Sequence, residues 1–298
     1  MEIVVRGKVP EEKIKPWASR HPEQSHYDLV LDGNCSVVNS RNKTVVKVIR
    51  GGLSEAAIAQ AYPVLSWMEK FGSDNRAKYA GAQSSGYLTK KDGSKSRQVR
   101  ALDENGKRVI VTSCVAGSFE RQGGRFPFCR TTAITRNHPD KWKELLPIMA
   151  EAARIYRRKM PEKYANQMSY VENTHPAWMI PNTPFTTITV NNSVAAAYHQ
   201  DGGDLKDGFG AMLVLSEGQY QGFELVVPEY KLAVNLRHGD LLLFDPTIWH
   251  GNIPPYNTVG EKNKDWRRVS LVMYYREGIL GCESPEKELE KAKSRGNL

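Results

Sequence analysis

The sequence predicts an α+β chain that is mainly β, a sandwich or closed jelly roll of short strands with flanking helices. Three observations predict it. After residue 180 come six short runs rich in β-branched and aromatic residues: PFTTITV, FGAMLVL, FELVVPEY, KLAVNL, DLLLFD and VSLVMYY. Turn-forming stretches such as DGGDLKDG, EGQYQG, RHGD and NIPPYN separate them, as in all-β layered folds. Upstream, two segments carry apolar residues at helical spacing.

Residues 1 to about 50 read as short strands and turns, with β-branched runs in VVNSRNKTVVKVIRGG and a break at Gly51-Gly52. In LSEAAIAQAYPVLSWMEKFG, Ser54 is placed to cap a helix whose apolar side is Ala57, Ile58, Ala61, Leu65 and Met68. Pro63 predicts a kink or short break there. A basic stretch follows, with Lys90, Lys91, Lys95, Arg97, Arg100, Lys107 and Arg108 against Asp92, Asp103 and Glu104. It reads as a solvated loop or as an arm that follows a phosphate backbone. Asn105-Gly106 within it is a hairpin signal. HPDKWKELLPIMAEAARIYRRKM, 138–160, is the clearest helix. Trp142, Leu145, Leu146, Met149, Ala152 and Tyr156 share its apolar face. Pro139 suits its first turn, and Arg157, Arg158 and Lys159 complement the dipole at its end. The close, SPEKELEKAKSRGNL, reads as a frayed polar helix or tail. The expected division is an N-terminal extension over 1–124 with a basic hairpin or loop, packed on a core over 125–280, and a polar tail over 281–298.

Composition bounds the function. The chain has 298 residues, 40% hydrophobic and 25% charged, as in ordinary globular proteins. No apolar run approaches the roughly 18 residues of a membrane span. The start, MEIVVRGKVPEEKIKPW, lacks a basic region followed by an apolar stretch, so an intracellular setting is expected: cytoplasmic in a bacterial or virus-infected host, nuclear in a eukaryote. Cys35, Cys114, Cys129 and Cys282 form no CxxC pair and are expected to be reduced, mostly buried thiols. The net charge of +9 favours an anionic partner such as nucleic acid.

The chemistry concentrates in AAAYHQDGGDL, residues 195–205, where His199 and Asp201 stand two apart. At a strand end, residues i and i+2 point to one face, which sets an imidazole beside a carboxylate. HxD alone is weak, and Asp201 before two glycines could simply cap a turn. A third ligand is available in DLLLFDPTIWHGN, where His250 follows a strand-like run. Two imidazoles and one carboxylate make the facial triad of non-haem Fe(II) oxygenases. It leaves positions open for a keto acid and O2. In DWRRVSLVMYY, Arg268 and Ser270 share a strand face and suit a distal carboxylate, with Arg267 turned away and exposed. In PFTTITVNN, Thr187, Thr189 and Asn191 share a polar face, and Asn191 is a candidate for the keto-acid or substrate pocket.

These motifs together resemble the TET/JBP family of Fe(II)- and 2-oxoglutarate-dependent oxygenases, which oxidise the 5-methyl group of pyrimidines in nucleic acid. The resemblance is carried by TPFTTITVNNSVAAAYHQDGGDLKDGFGAMLVL, YQGFELVVPEYKLAVNLRHGDLLLFDPTIWHGN and RRVSLVMYYRE, with FPFCRTTAITRNHPDKW opening the region. It covers about residues 125–277 and looks closest to the JBP-like microbial or viral branch. The resemblance implies a double-stranded β-helix (jelly-roll, cupin-like) core, and Fe(II), 2-oxoglutarate and O2 as cofactor and co-substrates. It implies that His199, Asp201 and His250 bind iron and are catalytic, and that Arg268 binds 2-oxoglutarate, with Ser270 and Asn191 beside it. No counterpart of the cysteine-rich zinc region and large insertion of animal TET enzymes, or of the separate J-base-binding domain, is expected within these residues. The expected partner is double-stranded DNA with the target base flipped out, since a stacked base is unreachable. Tyr198, Phe209 and Trp249 are candidate stacking platforms, against core packing. The expected reaction is 5-methylcytosine to 5-hydroxymethylcytosine, by hydrogen abstraction and rebound. The alternatives are thymine hydroxylation to 5-hydroxymethyluracil and an oxygenase acting on a non-DNA substrate. No membrane partner is expected, and a monomer is favoured.

Overall fold

The apolar runs alternate between two burial partners, and that alternation builds the molecule. The computed structural model describes residues 1–73, 76–80, 82, 84–89, 92–102, 105, 107–123, 126–256 and 265–294, with the backbone alone for 78, 84–89 and 95–100. Among these residues the strands are β1 (Glu2–Val5), β2 (Leu29–Leu31), β3 (Cys35–Asn39), β4 (Thr44–Ile49), β5 (Ser84–Thr89), β6 (Lys95–Leu102), β7 (Ser113–Phe119), β8 (Arg130–Thr131), β9 (Thr187–Asn192), β10 (Gly210–Glu217), β11 (Leu225–Val227), β12 (Leu232–Val234), β13 (Asp240–Phe244), β14 (Gly251–Asn252) and β15 (Arg267–Tyr274). The α-helices are α1 (Glu11–Ile14), α2 (Glu55–Trp67), α3 (Ala133–Asn137), α4 (Pro139–Lys159), α5 (Pro161–Glu172) and α6 (Pro285–Ser294).

A nine-stranded sheet runs in the order β1-β3-β4-β13-β10-β15-β9-β7-β8, and a four-stranded one in the order β14-β11-β12-β2. Along β10, Met212 and Val214 point toward the small sheet and join Val46, Leu225, Leu232 and Phe244 in a core between the sheets. Ala211, Leu213 and Leu215 point the other way and pack with Leu65 of α2 and Ile148, Met149 and Tyr156 of α4. β10 and β13 are therefore covered on both faces, which is why they read as unbroken apolar runs rather than alternating ones. The result is a double-stranded β-helix with helices on the outer face of its large sheet. All six runs expected after residue 180 are strands, in the expected order. The expected division at residue 124 coincides with no break in the sheets, because β1, β3, β4 and β7 are strands of the large one and β2 is an edge of the small one.

Both expected helices form. The Ser54 side chain accepts from the Ala57 amide at 3.4 Å and caps α2. The helix then runs on through Pro63, where a kink or break was expected. Pro63 and Ala59, whose carbonyl loses its partner, both lie on the exposed side, so water can satisfy that oxygen. α4 starts at Pro139 and buries Leu145, Met149, Ala152 and Tyr156 as expected, with Trp142 and Leu146 half-buried. In the basic stretch, β5 and β6 pair antiparallel, so the main turn falls between Thr89 and Lys95. The chain doubles back again around Asn105, with a bridge between Leu102 and Arg108. Lys90, Lys91, Asp103, Glu104 and Gly106 lie outside the described residues.

The cysteines depart from expectation. Cys129 and Cys282 form a disulfide across 153 residues of chain, with Cα atoms 5.8 Å apart, while Cys35 and Cys114 are free and buried. The bonded pair packs with Trp178 and Ile279. Of the frayed polar helix or tail expected at the C-terminal end, the polar helix forms as α6 and is docked, while residues 295–298 lie outside the described residues. The buried Glu288 carboxylate of α6 accepts from the amides of Cys129 at 2.8 Å and Glu283 at 3.1 Å, and pairs with Arg121 at 3.0 Å. No helix among the described residues is long and apolar enough to cross a membrane.

Because the disulfide closes so long a loop, Cys282→Ser is expected to cost roughly 2–4 kcal/mol, read as a lower urea midpoint. A reducing agent should shift the parent protein by the same amount and leave the variant unmoved.

Candidate metal centre

Two loops meet at one end of the double sheet. The first leads from β9 to β10 and carries His199 and Asp201; the second leaves β13 and carries His250. Backbone bonds pin them together: the His199 amide donates to the His250 carbonyl at 2.9 Å, and the reverse bond is also 2.9 Å. The Asp201 amide donates to Pro246 O at 3.2 Å, and the Gln200 side chain to Thr247 O at 2.7 Å. His199 thus sits in an isolated bridge within the loop rather than at the end of a strand.

The three side chains converge. Nε2 of His199 is 3.5 Å from one Asp201 oxygen, and Nε2 of His250 is 3.6 Å from the other. One potential ligand atom from each residue lies within 4.8 Å of the others, so the group could hold a metal ion. Each imidazole is oriented by its second nitrogen. Nδ1 of His199 is 2.8 Å from Ala197 O, and Nδ1 of His250 is 3.0 Å from Ile248 O. A carbonyl can only accept, so each Nδ1 carries the hydrogen and each Nε2 offers a lone pair to the cluster. Burial, with His199 beside it, lowers the His250 pKa to about 4, so the ring is neutral and ligand-ready near neutral pH. Against burial, His250 and His199 hold the Asp201 carboxyl down at about 2.

Asn191, Ser270, Thr189 and Tyr274 line the same cavity, which has a free volume of about 100 Å³. Asn191 accepts from Ser113 Oγ at 2.6 Å and donates to Ser270 Oγ at 3.4 Å. Arg268 is on the same face of β15 as Ser270, two residues earlier, over the Phe223 ring at 4.9 Å. Its guanidinium is buried, yet Nε and Nη2 have no hydrogen-bond partner. A buried cation with idle donors is costly unless an anion completes it, which fits a carboxylate ligand. Arg267 turns outward to Glu69 at 3.1 Å, as expected.

Tyr198, Phe209 and Trp249 are not cavity walls. Tyr198 and Trp249 pack in one small core and Phe209 in the core under the helices. The rings that line the cavity are Phe244, Tyr274 and Tyr79, the last edge-on to His199 with centroids 5.1 Å apart. Sequence reasoning also missed Arg76, which stacks on Tyr79, and Asp204 and Arg276. Arg276 continues the alternate series Arg268, Ser270, Val272, Tyr274 and so could have been found; nothing in the local sequence marks Arg76 or Tyr79. Arg276 pairs with Glu120 and donates to Gly202 O at 3.1 Å, beneath the Asp201 loop. Gly203 sits there at φ +88°, and a Cβ would come within 2.8 Å of Nη2 of Arg276. Burial and the nearby Asp201 charge raise the Asp204 carboxyl well above the usual carboxylate range, against the Arg276 guanidinium 3.6 Å away.

A double-stranded β-helix with a His-x-Asp…His cluster at its mouth and a buried arginine within the barrel is the architecture of the Fe(II)/2-oxoglutarate oxygenases. Residues 117–277 match the TET/JBP family model, described as the oxygenase domain of that superfamily, and the chain belongs to this family. Dioxygenases of the superfamily use Fe(II), 2-oxoglutarate and O2. Among relatives, "Thymine dioxygenase JBP1" of Trypanosoma brucei brucei is 34% identical over 189 residues, covering 62% of this chain and 22% of the relative. The protein of the same name from Leishmania tarentolae is 26% identical over 291 residues, 96% of this chain and 32% of the relative. The chain thus spans about a fifth to a third of the length of these two relatives. In fold, it resembles the solved "NgTET1 in complex with 5mC DNA", with a TM-score of 0.54 at 13% identity, covering 89% of this chain and 86% of the other.

The lowered His250 pKa carries a pH signature in the metal-free protein. The unfolded chain takes up this proton near the ordinary value of 6.5 and the folded chain only near 4, so the stabilisation is whole above that window and lost as pH falls through it. Thermal midpoints should drop across this range by the equivalent of at most about 3 kcal/mol. The drop should be shallower in His250→Gln.

Proposed function

We propose that this chain oxidises the 5-methyl group of a pyrimidine in DNA, with thymine as the substrate base. His199, Asp201 and His250 hold Fe(II) through two Nε2 atoms and a carboxylate oxygen. Arg268 holds the distal carboxylate of 2-oxoglutarate, with Ser270 and Asn191 beside it. The observation that carries the cofactor assignment is the pairing, within one barrel, of a convergent His-Asp-His cluster with a buried guanidinium that has two idle nitrogens. Bound together, Fe(II) and 2-oxoglutarate supply the power to oxidise an unactivated C–H bond with O2.

The chain's own residues do the rest. Ala197 O and Ile248 O fix the imidazole tautomers, and the Asn191–Ser270–Ser113 chain orders the polar wall. Arg276 and Glu120 brace the loop that carries Asp201. Tyr79, at the cavity wall beside His199, offers a ring on which an extruded base can stack, a contact of about 1–3 kcal/mol. The preference for thymine rests on the names of the relatives, which are thymine dioxygenases. The 5-methylcytosine expected from the sequence is the competing substrate.

The deciding measurement is nucleoside mass spectrometry after incubation with Fe(II), 2-oxoglutarate and two duplexes, one with 5-methylcytosine and one whose only methylated base is thymine. The expected product is 5-hydroxymethyluracil from either duplex; 5-hydroxymethylcytosine alone would reassign the base. Consumption of 2-oxoglutarate with neither product would move the substrate outside DNA. Asp201→Ala should abolish stoichiometric Fe(II) binding. Arg268→Ala should keep Fe(II) while weakening 2-oxoglutarate binding by about 10- to 100-fold, the loss of a charge-assisted hydrogen-bond pair.

A further inference from the structure

Strand register singles out one end of the large sheet. Phe244, the last residue of β13, pairs with Val46 on one side and with Gly210, the first residue of β10, on the other. β4 therefore begins at the end where both candidate ligand loops lie. There the junction of α4 and α5 faces the start of β4 across a groove of about 370 Å³. Lys43, Lys47, Lys159 and Lys163 line it, against a single acid, Glu162.

The lysines touch the outer sides of both loops. Lys43 Nζ is 4.0 Å from Asp245, five residues before His250. Lys163 Nζ donates to Asp207 O at 3.3 Å, six residues after Asp201. Two further acids beside the groove, Asp245 and Asp207, offset part of this charge, Asp245 through its pair with Lys43, which leaves four lysines against three carboxylates. Asp245 accepts from the amide and hydroxyl of Thr247 at 2.9 and 2.6 Å, and Asp207 accepts from the Tyr170 hydroxyl at 3.1 Å. Burial and then the Lys43 charge lower the Lys163 pKa, against the Asp245 and Asp207 charges, which raise it. This cationic surplus has no counterpart in the iron chemistry. It lies against the outer sides of the two loops that carry the candidate ligands.

We propose that this lysine groove binds the sugar-phosphate backbone of duplex DNA flanking the nucleotide presented to the candidate metal centre. The proposal rests on the reading of the substrate as a base in DNA. Four flexible ammonium groups of one sign, with no planar fork among them, suit sequence-independent phosphate contact. Their binding energy would come largely from counterion release.

The test is the salt dependence of binding to a fluorescent duplex by the full chain, measured by anisotropy without 2-oxoglutarate. The exposed lysines are changed together in Lys43→Gln/Lys159→Gln, and the α6 pair Lys287→Gln/Lys293→Gln serves as a charge-matched control. The slope of log K against log salt should shrink by about 1.8 in the groove variant, at roughly 0.9 for each phosphate no longer neutralised. The control should keep the parent slope, and urea midpoints should show all three proteins equally folded. An unchanged slope in the groove variant, or an equal loss in both variants, would overturn the groove. A parent protein that binds no DNA would instead sink the reading on which the proposal rests.

Discussion

The pair of backbone hydrogen bonds between His199 and His250 is the contact on which the rest depends. These residues are 51 positions apart in sequence and lie in loops leaving different strands, β9 and β13. The reciprocal N–H···O bonds put their Cα atoms in register, so the two rings approach to 4.4 Å between centroids and face one carboxylate. No side-chain interaction could substitute for this. Two imidazoles of the same tautomer, each presenting a lone pair, do not attract one another. The backbone imposes a proximity that the side chains alone would avoid, and a cation is what would reward it.

Around that contact the supports are layered. Ala197 O and Ile248 O turn the rings. Arg276, anchored by Glu120 and by the bridge between Asp204 and itself, holds the Gly202–Asp204 turn from below. The cores on either side of the large sheet hold β10, β13 and β15 on both faces, so the loops leave from fixed ends. The polar wall of Asn191, Ser113 and Ser270 spans three adjacent strands in register, with Asn191 paired to both serines.

Much of this was legible in the sequence because periodicity is a local property. The six late strands, the Ser54 cap, the face of α4 and the Arg268-x-Ser270 face all follow from alternation or from 3.6-residue spacing. What was not legible depends on contacts between distant segments. Cys129 and Cys282 carry no motif, and only the docking of α6 under Glu288 brings them together. Tyr79 and Arg76 enter the cavity from a segment that carries no such pattern. Tyr198, Phe209 and Trp249 were attractive platforms because they neighbour the ligand loops in sequence, but adjacency in a loop does not decide which way a ring points. Pro63 broke no helix because solvent stood ready to take the freed carbonyl.

The weaving of the N-terminal region into the sheets bears on how this chain can be divided. The family match begins at residue 117, inside β7, and ends at 277, before α6. A fragment cut at those limits would lose β4 and with it the partner of β13, baring a row of ladder amides and carbonyls beside Leu241–Phe244. It would also lose Leu65 and its neighbours from the core under the helices, Tyr79 from the cavity, and one half of the disulfide. Such a piece would present the raw edges of β13, β12 and most of β9 to its own copies, an invitation to aggregate. The stretch that the family model matches is thus smaller than the sheets it belongs to. Grafting or exchanging the catalytic module would have to begin no later than the first strand.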